Sequence, residues 1–388
     1  MKILVAPCAY KGTLQASDLA KAIAQGLKDG LEPQYRKAEA ETEPKVSIEL
    51  APVADGGDDT IACLHLARGG DLVYDTVSGP ISQPVRAAYL RMGKLAVVEL
   101  AQGSGIAHLK KSELAPLRAH TFGTGLMLAR AIADGASEVA IMLGGSASTD
   151  GGSGVLAALG AKFYDALGNP VLTSDTECGG GALLAVARID LTNLRRNLDG
   201  VKFLIATDVT NPLLGAAGAA AIFAPQKGAS AEEVAYLEKS LEHFATILEI
   251  ASGSDQGCRS CAGAGAAGGA GFGLALGLGA QFTSGFHWFA QATNLTEKLN
   301  WCDLVVVAEG CLDSQSLAGK ASGEILRLAS SAGKQVVALP ACSQLSREQE
   351  KLFAAVITTS ADDNIATLDS VRQGAQHFIE TSDVFLRS

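Results

Sequence analysis

A short apolar run, a turn rich in glycine, then a stretch with helical spacing: this unit recurs along most of the chain and restricts its fold more than any other feature. Residues 2–6 (KILVA) read as a strand, and residues 16–30 as a helix with Ser17 as N-cap and Gly30 as C-cap. Residues 32–45 read as a charged surface loop, 46–53 as the next strand and 59–70 as the next helix. Between 71 and 100 the texture changes to short strands separated by turn signals, an antiparallel pattern. From Thr121 the alternation resumes and continues to a final helix. Alternating strands and helices call for a mainly parallel sheet covered on both faces. The predicted class is therefore α/β with two α/β domains. One is discontinuous, with a parallel sheet, built from residues 1–75 plus 283–388; the other is inserted at 76–282 and carries a mixed sheet. The expected site is the inter-domain cleft.

Length and composition agree with two domains. The chain has 388 residues, 48% of them hydrophobic and only 5% aromatic, with 44 glycines, which suits close helix packing and tight backbone turns. The formal charge of −10 argues against a nucleic-acid partner, whose phosphates call for a basic surface. No export signal opens the chain, and the uncharged stretch 260–296 is too rich in glycine and too interrupted by Gln281, Ser284 and His287 to be read as a membrane span. A cytoplasmic protein without membrane contact is expected, with a homodimer as the expected assembly if it self-associates. The eight cysteines then read as reduced thiols, and the single CxxC of Cys258 and Cys261 lacks the second pair that a zinc site needs.

Five carboxylates share one setting, the end of a strand followed by glycine or hydroxyl residues: Asp55, Asp150, Asp208, Glu309 and Asp313. Carboxyl ends of parallel strands face the ligand crevice in such sheets. Any one of these acids could simply cap a helix, but capping does not require the surrounding glycines. The densest such turn is GGSASTDGG at 144–152. Its bare backbone and the helix that follows predict a phosphate cradle, with Gly144, Gly145, Ser146 and Thr149 as contacts and Asp150 as a Mg²⁺ ligand. Lys11, Lys227 and Lys320 each stand beside a glycine and would supply positive charge. Together these groups fit phosphoryl transfer, in which alignment, charge neutralisation and one base suffice.

Two motifs fail their structural context. Gly263, Gly265 and Gly268 spell GxGxxG but follow a loop rather than a strand, so dinucleotide binding is not supported and close backbone packing is the better reading. AGKAS at 318–322 resembles a P-loop, but Ala321 stands where Ser or Thr is needed. No nucleophile–His–Asp ordering stands out; His65 and His243 fall within helices and read as structural.

Taken in order, KILVAPCAYKGTL, PVADGGDDT, MLGGSASTDGGSGVLAALG, TDVTNPLLG, APQKGAS and AEGCLDSQSLAGKA resemble the bacterial glycerate kinase family that includes the glycerate 2-kinases, over nearly the whole chain. The resemblance implies a Rossmann-like discontinuous domain, an inserted α/β domain, and phosphorylation of D-glycerate or a similar small hydroxy acid by ATP with Mg²⁺. Lys11, Asp55, Asp208, Asn211, Glu309, Asp313 and Lys320 match family motif positions, with Gly56, Gly57 and Ser314 beside them. The roles this implies are anion binding by Lys11 and Lys320, and base or metal ligand for Asp313 or Asp208. Two departures stand out. Cys8-Ala9 replaces the usual Asp-Ser, and Cys311 replaces an Arg, removing a bidentate anion donor. An inactive relative that binds nucleotide or another acid is the competing expectation. A nicotinamide-dependent oxidoreductase, resting on GxGxxG, ranks below both.

Overall fold

The computed structural model describes residues 1–10, 12–37, 46–173, 179–254, 258–317, 319–360 and 366–382. Its strands in chain order are β1 (Lys2–Val5), β2 (Ser47–Leu50), β3 (Asp71–Ser78), β4 (Pro84–Met92), β5 (Leu95–Glu99), β6 (Glu138–Met142), β7 (Lys162–Tyr164), β8 (Pro170–Val171), β9 (Arg188–Asp190), β10 (Lys202–Ala206), β11 (Gln281–Thr283), β12 (Leu304–Val307), β13 (Cys311–Leu312), β14 (Gln335–Ala338), β15 (Cys342–Ser343) and β16 (Ala355–Val356). The chain divides into two compact units, Met1–Asp55 with Ala62–Arg68 and Phe286–Ser388, and Gly56–Ile61 with Gly69–Gly285.

The first unit is built on a five-stranded sheet in the order β16-β14-β12-β1-β2, every pairing parallel. β12 is buried at all four positions, which explains its unbroken LVVV sequence: a strand covered on both faces has no polar side. Ile3, Val5, Leu19, Ile23, Leu304, Val306, Val337, Val371 and Phe378 form its core. The first helix, Ala16–Lys37, runs past Gly30 and through part of the expected loop; residues 38–45 lie outside the described residues. Gly30 is therefore no C-cap. It is a contact glycine: a Cβ there would stand 2.8 Å from Cβ of Ile379 in the helix Leu368–Thr381, so the missing side chain is what lets the two helices touch.

The second unit carries a six-stranded sheet, β11-β10-β6-β5-β4-β3, parallel from β11 to β5 and antiparallel from β5 to β3. The fold class is thus α/β, its two larger sheets being a five-stranded parallel one and a six-stranded mixed one. β3 pairs with β4 from Asp71 to Ser78, so residues 71–75, expected in the terminal domain, belong to the inserted one; eight cross-strand pairs outweigh their position in the chain. A small antiparallel sheet, β8-β7-β9, was not foreseen from the sequence. Leu128, Ile141, Leu156, Phe163, Ile205, Leu241, Phe244 and Phe272 lie in one core between sheet and helices. The long helix Ala231–Ser252 starts at a reciprocal cap: Ser230 Oγ accepts from Glu233 N at 3.2 Å, and Ser230 N donates to Glu233 Oε2 at 2.8 Å. Among the described residues no helix is long and apolar enough to cross a membrane; residues 260–296 include the helix Ala266–Leu278, β11 and the helix Gly285–Ala292.

Candidate active site

In the inserted unit, β5, β6, β10 and β11 run parallel and bring their carboxyl ends to one edge of the sheet. β5 ends in Glu99, only 2% exposed. Its Oε1 accepts from Ile61 N at 2.7 Å and its Oε2 from Gln102 Nε2 at 3.1 Å. Burial pushes the Glu99 carboxyl up to about 7; these hydrogen bonds oppose that, and the charges of Asp58 and Asp59 add to it. Glu99 thereby ties the segment Gly56–Ile61 to the edge of the sheet. The same segment lies against glycine backbone. A Cβ on Gly144, just after β6, would collide with Cα of Gly57, and a Cβ on Gly56 would stand 2.8 Å from Cα of Gly285. Gly145 is exposed beside the Asp58 side chain. Asp208 follows β10 and is exposed; its Oδ1 accepts from Ser284 Oγ at 2.7 Å and Gly285 N at 3.0 Å. Asn211 donates to Ala217 O at 2.8 Å, a bond internal to the loop after β10.

The turn 144–152 divides in two. Gly144 and Gly145 reach the surface, whereas Ser146 to Asp150 are buried. Asp150 is fully buried and accepts four hydrogen bonds: at Oδ2 from Thr121 N (2.8 Å), Thr121 Oγ1 (2.7 Å) and Gly154 N (3.3 Å), and at Oδ1 from Gly152 N (3.2 Å). The amides that open the helix Ser153–Ala158 are thus partly claimed by the chain's own carboxylate, which corrects the expectation of a phosphate at that helix end and of Mg²⁺ on Asp150. Lys227, 2% exposed, donates to Ser146 Oγ at 2.8 Å and to the Ser148 carbonyl. Burial lowers its ammonium to about 7 against the opposing pull of Asp150. Ser146, Asp150 and Lys227 therefore support the turn from within rather than offer side chains to a ligand at the surface, and Thr149 is fully buried beside them. Gly263 to Gly268 support it too: Gly151 N donates to Gly268 O at 3.1 Å, and a Cβ on Gly268 would run into the backbone of Ser148. GxGxxG is a backbone-packing motif here.

In the terminal unit the turns after β1, β12 and β14 carry the polar groups. The Tyr10 hydroxyl donates to Leu339 O at 2.6 Å and lies 3.3 Å from Thr359 Oγ1. Burial pushes it up to about 12, the Thr359 bond opposes this, and the charge of Glu309 adds to it. Asp313 caps the short helix Ser314–Leu317, its Oδ1 accepting from Ser316 N at 2.8 Å and Ser316 Oγ at 3.1 Å. The Ser316 amide, with further help from the Ser316 hydroxyl and Lys320, holds the Asp313 carboxyl below the usual range. Lys320 Nζ lies 3.7 Å from Asp313 Oδ1, with both side chains partly exposed. Ser314 is exposed at the first position of that helix, and Asp55 is half-buried after β2. Cys8 Sγ lies 3.8 Å from Ser322 Oγ. Lys11 lies outside the described residues.

Glu99, Asp58 and Tyr10 escaped the sequence reading. Asp58 was visible in ADGGDDT, and Glu99 had one signal, an acid closing an otherwise apolar strand. Among the described residues no group of three His, Cys, Asp or Glu is placed to hold a metal ion. An exposed carboxylate such as Asp208 suits a cation that takes one or two protein ligands and fills its shell with water and phosphate oxygens. Asp150 does not suit one.

Acids and glycine turns at the carboxyl ends of parallel strands, with Lys320 beside Asp313, are the setting of an α/β enzyme whose ligands meet those ends. Comparison with known proteins makes this specific. The chain belongs to the glycerate kinase family, whose sequence pattern matches residues 3–384, and it is a phosphotransferase acting on an alcohol group. It is 37% identical over 341 residues to the glycerate 2-kinase of Escherichia coli K12, covering 87% of this chain and 84% of that one. It is 37% identical over 355 residues to a glycerate kinase of Bacillus subtilis 168, covering 91% and 87%. The crystal structure of a candidate glycerate kinase 2 from Salmonella typhimurium LT2 matches with a TM-score of 0.81 at 32% identity, over 100% of this chain and 98% of that one.

Proposed function

We propose that the protein transfers the γ-phosphoryl group of ATP to the 2-hydroxyl of D-glycerate. The observation that carries this reading is the Asp313–Lys320 pair at 3.7 Å, set on family motif positions at the turn after β12 and open to solvent. Lys320 is the cation that meets the glycerate carboxylate or a phosphate, with Lys11 as a second by family position. Asp313, held ionised by the Ser316 amide, accepts a hydrogen bond from the substrate hydroxyl, orients it, and takes its proton as the bond to phosphorus forms. Asp208 would hold Mg²⁺, which when bound neutralises phosphate charge. The backbone of Gly144 and Gly145, with Gly56 and Gly57 against it and the Asp58 carboxylate beside it, would offer amides to a phosphate. Asp55, Asn211, Glu309 and Ser314 line or shape these turns.

Purified protein incubated with D-glycerate, ATP and Mg²⁺, followed by ³¹P NMR, tests this. A 2-phosphoglycerate signal is expected. A 3-phosphoglycerate signal overturns the regiochemistry, and no product from folded protein that binds ATP overturns glycerate as substrate. Cys311 favours a second reading, in which another small hydroxy acid is preferred, because a thiol cannot grip a carboxylate as guanidinium does. Competition between D-glycerate and other 2-hydroxy acids in the same assay separates the two. An Asp313→Asn variant is expected to lose at least about 100-fold in kcat; near-normal turnover would remove Asp313 from the mechanism.

A further inference from the structure

Cys311 stands where the resemblance leads one to expect Arg, and the turn that carries it holds Glu309 and Asp313. Its neighbour is another cysteine. β13 and β15 pair in parallel with Cys311 directly opposite Cys342 and Leu312 opposite Ser343. Backbone bonds on both sides fix this register, from Cys342 N to Gly310 O at 3.0 Å and from Gln344 N to Leu312 O at 2.8 Å. Opposed residues on neighbouring strands point to the same face and sit ~4.8 Å apart, inside the ~4.4–6.8 Å Cα range of disulfides. Both are free thiols, Cys342 exposed and Cys311 partly so. Burial, with the neighbouring Cys342 thiol adding to it, pushes the Cys311 thiol up to about 11.

We propose that Cys311 and Cys342 form a dithiol site that closes to a disulfide by exchange with a small-molecule disulfide, tying the turn after β12 to the turn after β14. The exposed Cys342 thiolate attacks one sulfur of the small disulfide; that S–S bond breaks and one thiolate leaves. Cys311, losing its proton to solvent, attacks Cys342 Sγ and expels the second thiolate. Two protein thiols are oxidised and one small disulfide is reduced to two thiols, so electrons and protons balance. The bond restrains residues 309–313, and with them Glu309 and Asp313, so oxidation is expected to lower turnover.

The test is titration of the full-length protein with oxidised glutathione, followed by peptide mapping under non-reducing conditions. A crosslinked pair containing Cys311 and Cys342, with loss of two titratable thiols and recovery on adding dithiothreitol, is the expected result. Cys342→Ser is expected to fold with an unchanged melting temperature and to form no crosslink. Cys311→Ser is expected to trap a glutathione adduct on Cys342. A wild-type adduct on Cys342 that never resolves, oxidation confined to Cys258 and Cys261, or thiols that stay reduced would each overturn the proposal. These readouts do not depend on the substrate, so they stand or fall apart from the glycerate assay. Turnover that is unchanged in the crosslinked protein would refute the effect on the site.

Discussion

Asp150 shows how burial changes what a residue can do. A carboxylate in a turn of glycines reads as a ligand for cation or phosphate, yet the folded chain surrounds it with four donors and excludes it from solvent. Removing it leaves buried amides without an acceptor, which costs about 2–4 kcal/mol. Asp150→Ala is therefore expected to lower stability by that amount in urea unfolding, while the Mg²⁺ dependence of turnover in the folded fraction stays unchanged. Lys227 makes a prediction of opposite kind. Its native pKa of about 7 lies below its ordinary 10.5, so the unfolded chain binds the extra proton between those values. Its contribution to stability is fully present above pH 10.5 and is lost as pH falls toward 7. Melting temperatures of wild type and Lys227→Met, compared from pH 7 to 9.5, should show wild type gaining on the variant as pH rises. A constant difference would mean that the buried lysine titrates normally.

At the level of elements, glycine placement decides how closely helices and turns approach. A Cβ on Gly26 would meet the Arg372 carbonyl, and one on Gly30 would crowd Ile379, so the helices Ala16–Lys37 and Leu368–Thr381 touch along a seam of bare backbone. Arg372 Nε adds an ion pair to Asp29 Oδ2 at 2.6 Å beside that seam. Alanine is the better helix former, yet Gly30→Ala is expected to destabilise by about 1–3 kcal/mol, because overpacking outweighs the propensity gain. Chemical denaturation checks this; a stabilised variant would show that the seam can open without cost. The same logic explains why Gly30 was misread. A glycine near the end of a helical pattern looks like a C-cap, and only its partner helix, more than three hundred residues away in the chain, shows otherwise.

At the scale of the whole molecule, the described residues include one hydrophobic core around β1 and β12 and another around the six-stranded sheet, with no residue in common. Cores of this kind need not unfold together. Scanning calorimetry is expected to give a calorimetric enthalpy larger than the van't Hoff value; equality of the two would mean a single cooperative unit. What the sequence determined by itself follows from short-range physics. Strand–turn–helix alternation established the α/β class, apolar runs such as LVVV marked the buried strands, and the ordered motifs marked the family. Asp208 and Asp313 are marked in the sequence by their place after apolar strands and Lys320 by its neighbouring glycine, and the fold leaves all three at least partly exposed. The tertiary structure alone decided which of the marked residues meet solvent. Asp150, Ser146 and Lys227 became internal supports, Thr149 was buried with them, Glu99 became the anchor of Gly56–Ile61, and Cys311 found Cys342. Each of these outcomes depends on burial or on a partner distant in the chain, and neither quantity is written in local spacing.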